Sequence, residues 1–123
     1  MNAKASRGGR PGGGRRIVLK VGSQVLTKAS GLPDEERVGA IAADLARVRE
    51  EGDEVLLVTS GAIAYGRKAM GLEDSPRSVA FEQMLASVGQ VMLIDAYRRA
   101  MAEHGLIIGQ VLLTHSDFDV RGA

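Results

Sequence analysis

The sequence predicts an α/β fold with a mainly parallel sheet, and three observations carry that expectation. Short apolar runs rich in β-branched residues stand at Ile17-Val18-Leu19-Lys20-Val21, at Glu54-Val55-Leu56-Leu57-Val58-Thr59 and over Leu106 to Leu113. Stretches of helical periodicity separate them, and a glycine or polar break follows each run. Strands joined through helices imply crossover connections, which parallel neighbours require.

The elements follow in order. Ile17–Val21 is short, apolar and closed by Gly22-Ser23, as expected of a buried strand. A turn through Gly31-Leu32-Pro33 leads into Asp34 to Glu51, where Val38, Ile41, Ala42, Leu45 and Val48 recur at helical spacing. Acidic residues open this stretch and Gly52 closes it. Glu54–Thr59 is a second strand, left at Ser60-Gly61. Ala62 to Met70 reads as a helix stopped by Gly71. Ser75-Pro76 is a cap and first-turn signal for a long helix running to His104, with a break or kink open at Gly89 and Gly105 as its stop. Residues 84 to 94 are apolar almost all round, which predicts burial against the sheet and, on a second side, against another subunit. Leu106 to Leu113 is expected to be the third strand, ending in Thr114-His115-Ser116-Asp117.

Composition narrows the function classes. The 123 residues suffice for one core, and 45% apolar with 25% charged residues fits a globular chain rather than a disordered one. There is no cysteine, which excludes a disulfide scaffold, a thiolate metal site and a Cys nucleophile. His104 and His115 belong to no spaced ligand motif, so no metal site is expected. No run reaches the roughly 20 apolar residues of a membrane span, and no secretory signal is visible, so the expected compartment is the cytoplasm. Net charge is +1, unevenly spread. Lys4, Arg7, Arg10, Arg15 and Arg16 precede the first apolar run and leave 11 basic against 15 acidic residues in the body. Residues 1–15 form a Gly/Arg-rich leader, expected to be disordered, and residues 16–123 the folded part. The leader could touch nucleic acid by charge, but with two Phe, two Tyr and no Trp the chain lacks stacking platforms, and a nucleic-acid partner is not expected.

In a parallel sheet the C-terminal strand ends share one edge, where ligands bind. Three such ends are named by the sequence: Lys20-Val21-Gly22-Ser23, Thr59-Ser60-Gly61-Ala62 and Thr114-His115-Ser116-Asp117. A lysine within an apolar strand suits an anion, and Gly22 would let that anion approach the backbone N–H groups. The alternative is a strand-end lysine that reaches water. Ser60-Gly61-Ala62 stands between a strand and a helix start, where unpaired N–H groups favour a carboxylate or phosphate; an ordinary helix cap is the alternative. Asp117, Asp119 and Arg121 read either as an ion-binding group or as a solvated loop. The chain carries neither the classical P-loop motif nor the dinucleotide-binding glycine pattern.

Four segments resemble the glutamate 5-kinases of the amino-acid kinase family in order and spacing. They are Val18-Leu19-Lys20-Val21-Gly22-Ser23; Val58-Thr59-Ser60-Gly61-Ala62-Ile63-Ala64 with Gly66-Arg67; Leu85-Ala86-Ser87-Val88-Gly89-Gln90; and Gly109-Gln110-Val111-Leu112-Leu113-Thr114 with Asp117. The resemblance implies a three-layer α/β/α sandwich, and transfer of the ATP γ-phosphate to the side-chain carboxylate of L-glutamate, the first step of proline biosynthesis. It assigns Lys20 as the catalytic cation; Lys20, Gly22 and Ser23 to ATP; Ser60, Gly61 and Ala62 to glutamate; and Mg²⁺ as the metal that accompanies the nucleotide. It implies a homo-oligomer in full-length members and no membrane. The sequence stops at Arg121-Gly122-Ala123, where family members continue with Asn-Ala-Arg. The resemblance therefore implies the N-terminal half of the kinase domain. On that reading the fragment is inactive by itself, and the alternative is a non-catalytic product acting through subunit association.

Overall fold

A computed structural model describes the backbone of Ala3–Gly9 together with residues 14–72 and 78–118. Strand β1 (Ala3–Gly9) and strand β2 (Arg15–Val21) are followed by the single turn α1 (Ser23–Leu26) and helix α2 (Glu35–Glu50). Strand β3 (Glu54–Thr59) then leads into α3 (Ala62–Met70) and α4 (Val79–Ala102), and a 3₁₀ turn spans His115–Phe118. The sheet order is β1-β2-β3. β2 and β3 are parallel, with Lys20 opposite Val58 and Val21 opposite Thr59, and α2 is the crossover between them.

Local chemistry explains the helix ends. Asp34 caps α2 by accepting from Arg37 N at 3.2 Å, with Glu35 and Glu36 in the first turn, where carboxylates favour the helix dipole. Gly71 ends α3 in the left-handed conformation at φ 67°, which glycine adopts without a Cβ penalty. Ser78 caps α4 by accepting from Phe81 N; the expected Ser75-Pro76 start lies outside the described residues.

Helices α2 and α4 cover one face of the sheet. Leu19, Val21, Val55 and Leu57 meet Val38, Ile41, Ala42 and Leu45 of α2 and Leu93, Ala96, Tyr97 and Met101 of α4, with Leu26 and Tyr65 filling the centre. Each fully buried large side chain contributes about 1.5–3 kcal/mol. The other face, with Leu56 and Val58 about half exposed (48% and 47%), carries no helix among the described residues. The parallel α/β class therefore holds, with two of the three expected layers present.

Three features differ from the sequence expectation. The leader, expected to be disordered, contributes β1, which pairs antiparallel with β2 from Ala3↔Val21 to Gly9↔Arg15. Strand pairing needs only backbone donors and acceptors, and the outer edge of β2 offers them even to a Gly- and Ser-containing partner. The expected third strand, Leu106 to Leu113, forms no ladder: Leu106 and Ile108 touch the core, while Ile107, Val111, Leu112 and Leu113 are exposed. An apolar run becomes a strand only when an edge is there to pair with it, and no described strand pairs with it. Finally, α4 passes through Gly89 unbroken. Instead of kinking the helix, Gly89 seats it against α3: a Cβ there would stand 1.7 Å from Ala62 O and 2.4 Å from Gly66 N. Gly66 is equally constrained, since a Cβ on it would stand 2.0 Å from Leu85 O, so the two helices pack with their backbones close together.

Candidate functional site

The site is built where β2 and β3 end side by side. Ser60 N donates to Val21 O at 2.9 Å, carrying the parallel pairing past the last strand residue. From there each chain turns into a helix start, Gly22 before α1 and Gly61 before α3. Along the strands, Leu19, Val21, Val55 and Leu57 take the helix-covered face, so the alternating positions Lys20, Val58 and Ser60 share the opposite, open one.

Lys20 is exposed and makes no hydrogen bond or ion pair among the described residues. Around Gly22 there is open space: a Cβ would find nothing within 4 Å. Ser23, also exposed, opens α1, and its carbonyl accepts from Thr27 Oγ1 at 2.9 Å. Gly61 has φ 120°, a conformation that only glycine adopts readily, and lies against Leu26 and Leu93, whose Cδ1 atoms would stand 3.3 and 3.6 Å from a Cβ. Gly61 O accepts the first bond of α3, from Tyr65 N at 3.2 Å. No side chain caps this helix, so its first N–H groups have no side-chain acceptor among the described residues. The arrangement gathers a free ammonium, an exposed hydroxyl and uncapped backbone donors, which suits a phosphate or carboxylate.

Lys20, Gly22, Ser23, Ser60, Gly61 and Ala62 are thus brought to adjoining strand ends. Thr114, His115 and Asp117 are not, because the segment before them does not join the sheet. Asp117 instead accepts from Thr114 N at 2.6 Å and Thr114 Oγ1 at 3.0 Å, and these bonds hold its carboxyl below the usual range. Asp119 and Arg121 lie outside the described residues. Among those described, no group of three or more His, Asp or Glu is placed to hold a metal, and no helix is long and apolar enough to cross a membrane.

Two polar contacts escape a reading of the sequence. Tyr97 on α4, almost wholly buried, meets Thr59 Oγ1 at 2.9 Å, and Thr59 Oγ1 donates to Ser60 O at 3.0 Å. Tyr65 donates to Glu35 Oε2 at 3.2 Å, and burial, then the Glu35 charge, pushes its phenol well above the ordinary tyrosine value. The partners are 38 and 30 residues apart, and no local pattern announces them.

Two parallel strand ends that turn into helix starts, with an exposed lysine on one and a glycine-led helix on the other, define an α/β protein whose candidate site lies along one sheet edge. The profile of the amino acid kinase family matches residues 15–122, and the chain belongs to that family. Its relatives include glutamate 5-kinases from Pelobacter propionicus (43% identical over 107 residues), Streptomyces coelicolor (48% over 110) and Thermus thermophilus (46% over 113). These alignments cover 87%, 89% and 91% of the chain, which spans only 29–30% of the relatives' length.

Proposed function

We propose that this chain is the N-terminal part of a glutamate 5-kinase, which transfers the ATP γ-phosphate to the side-chain carboxylate of L-glutamate and so opens proline biosynthesis in the cytoplasm. The observation that carries the reading is the pairing of strand ends at Ser60 N–Val21 O, which sets the Lys20 strand beside the Ser60-Gly61-Ala62 turn. The names of the relatives supply the substrate.

The residues present fit a nucleotide phosphate: a lysine with no carboxylate partner among the described residues, and a glycine with open space where a Cβ would stand. In this reading Lys20 offsets charge on the phosphoryl group, and Gly22 and Ser23 leave room for the phosphates of ATP. Ser60 and the backbone at Gly61 and Ala62 receive glutamate. Phosphoryl transfer needs mainly alignment and charge stabilisation, which is what these groups offer. Mg²⁺ would supply further charge neutralisation when bound with the nucleotide; the described residues offer no carboxylate cluster for it.

The test is a chimera in which this chain replaces the corresponding N-terminal segment of the Streptomyces coelicolor relative. Glutamate-dependent ATP turnover is expected from the chimera and not from residues 1–123 alone. Lys20→Ala should lower kcat by about 10²-fold or more, the size of a lost electrostatic stabiliser. Ser60→Ala should mainly raise KM, by an amount within the roughly 1.5–3 kcal/mol of a hydrogen bond to a charged group. Small and equal effects at both positions would return Lys20 to a solvated strand end and Ser60 to a simple turn residue.

A second reading, association without catalysis, is favoured by Val88, Val91 and Met92, which stay exposed on the outer side of α4. It includes the homo-oligomer expected of full-length members. Sedimentation of Val91→Glu against the unaltered chain tests it: a smaller species in the variant supports subunit contact there, and identical masses refute it.

A further inference from the structure

Tyr97 lies against the strand end at Thr59, and the proposed reaction leaves it without a task. Its side chain is almost wholly buried, and its phenol, protonated at neutral pH like any tyrosine, is available as a proton donor. Thr59 Oγ1 has a single hydrogen, committed to Ser60 O at 3.0 Å, so in the 2.9 Å contact Tyr97 is the donor. The chain of bonds runs in one direction: Tyr97 hydroxyl to Thr59 hydroxyl to Ser60 carbonyl.

The Ser60–Gly61 peptide is planar and trans, so its C=O and N–H point opposite ways. Thr59 lies on the helix-covered side and Tyr97 projects from α4, so the Ser60 carbonyl is drawn toward the helices. The Gly61 N–H is thereby turned the opposite way, away from the Tyr97–Thr59 pair, in a residue that is itself buried. It donates to no acceptor among the described residues. Gly61, at φ 120°, belongs to the residue type that flips a peptide most easily, so this plane needs an external hold. The close seating of α4 on α3 through Gly66 and Gly89 fixes the helix that carries the hydroxyl.

We propose that Tyr97 is a positioning residue: acting through Thr59, it aims the Gly61 N–H at the carboxylate of bound glutamate. The inference rests on the glutamate site proposed above, and adds to it the group that orients its backbone donor.

The test uses the whole chain, residues 1–123, in amide-resolved NMR. Without ligand, Tyr97→Phe and Thr59→Val should each broaden or double the Gly61 amide signal, while the amides of Ile41 and Leu45 in α2 stay as they are. Thr59→Ser, which keeps the hydroxyl, should restore a single signal. With L-glutamate as the probe, the unaltered chain should show a saturable shift at Gly61, and Tyr97→Phe should weaken it about three- to tenfold, the scale of one neutral hydrogen bond. A single, unshifted Gly61 signal in Tyr97→Phe overturns the proposal whatever glutamate does. So does glutamate binding to Tyr97→Phe as tightly as to the unaltered chain. A doubled Gly61 signal in Tyr97→Phe, with no glutamate shift in the unaltered chain, upholds the aiming of the peptide and overturns glutamate as its ligand.

Discussion

Replacing Gly89 by alanine should do the opposite of what it does at most helix positions. A Cβ at Gly89 would stand 1.7 Å from Ala62 O and 2.8 Å from Ala62 C, both backbone atoms that no rotamer change can move aside. Ordinary contact begins near 3.4 Å, so α3 and α4 must part by about 1.7 Å, the difference of the two distances, at a crossing that buries Leu85 and Tyr65. Overpacking of that kind costs up to about 3 kcal/mol or more. The better helix propensity of alanine returns only about 0.5–1 kcal/mol, so the net loss is about 2 kcal/mol. Gly39 on α2 is the internal control, since a Cβ there meets nothing within 4 Å. Gly39→Ala should therefore stabilise by about 0.5–1 kcal/mol. Urea unfolding followed by circular dichroism reads both changes as shifts of the midpoint in opposite directions. If Gly89→Ala unfolds at the same or a higher urea concentration than the unaltered chain, the helices are not in backbone contact and the reasoning fails.

Three further outcomes follow from the described contacts. Asp34→Ala should cost about 1 kcal/mol by removing the cap of α2, while Asp34→Asn or Asp34→Ser should recover most of it; equal midpoints for all variants would show that the cap is idle. Asp53, 4% exposed, accepts from Arg15 N and Arg15 Nη2 at 2.9 Å each, so Asp53→Ala should lose about 1–3 kcal/mol by stranding the partly buried backbone donor, and an unchanged melt would contradict this. Tyr65 and Tyr97 have folded-state pKa values raised above the ordinary 10.0, so the unfolded chain gives up its protons first and stability should fall as pH rises beyond about 10. Tyr65→Phe should make that alkaline decline shallower, and an identical slope in both proteins would remove Tyr65 from the account.

What the sequence revealed, and what it hid, divides by the range of the physics involved. β2, α2, β3 and α3 are legible because each is set locally, by a β-branched run, by the spacing of Val38, Ile41 and Leu45, by Asp34 at one end and Gly71 at another. Leu106 to Leu113 has the composition of a strand and lacks the partner that would make it one, since a ladder is a property of two segments. β1 is the converse case, a Gly- and Ser-containing leader that composition marks as unstructured and that pairs because the edge of β2 is open to it. Gly89 was ambiguous for a related reason: a glycine inside a helix signals a bend or a close approach, and only the position of α3 decides between them. At the site, Lys20, Gly22, Ser60 and Gly61 were visible as breaks in strand pattern. Thr59 and Tyr97 were not, because a bond across 38 residues leaves no periodic trace.

The sheet face that no described helix covers, with Leu56 and Val58 half in water, has a thermal consequence. The heat-capacity increase on unfolding tracks the apolar surface newly exposed, about 12–15 cal/mol/K per residue for ordinary globular domains. A sheet that is already wet on one side, together with Ile107 and Val111 to Leu113 in solvent, has less such surface left to expose. The increment for this chain should therefore fall below that range, so its free-energy curve is flatter than its length would suggest. Cooling would weaken the chain less than it weakens a fully enclosed fold, and a complement that closed the open face would steepen the curve.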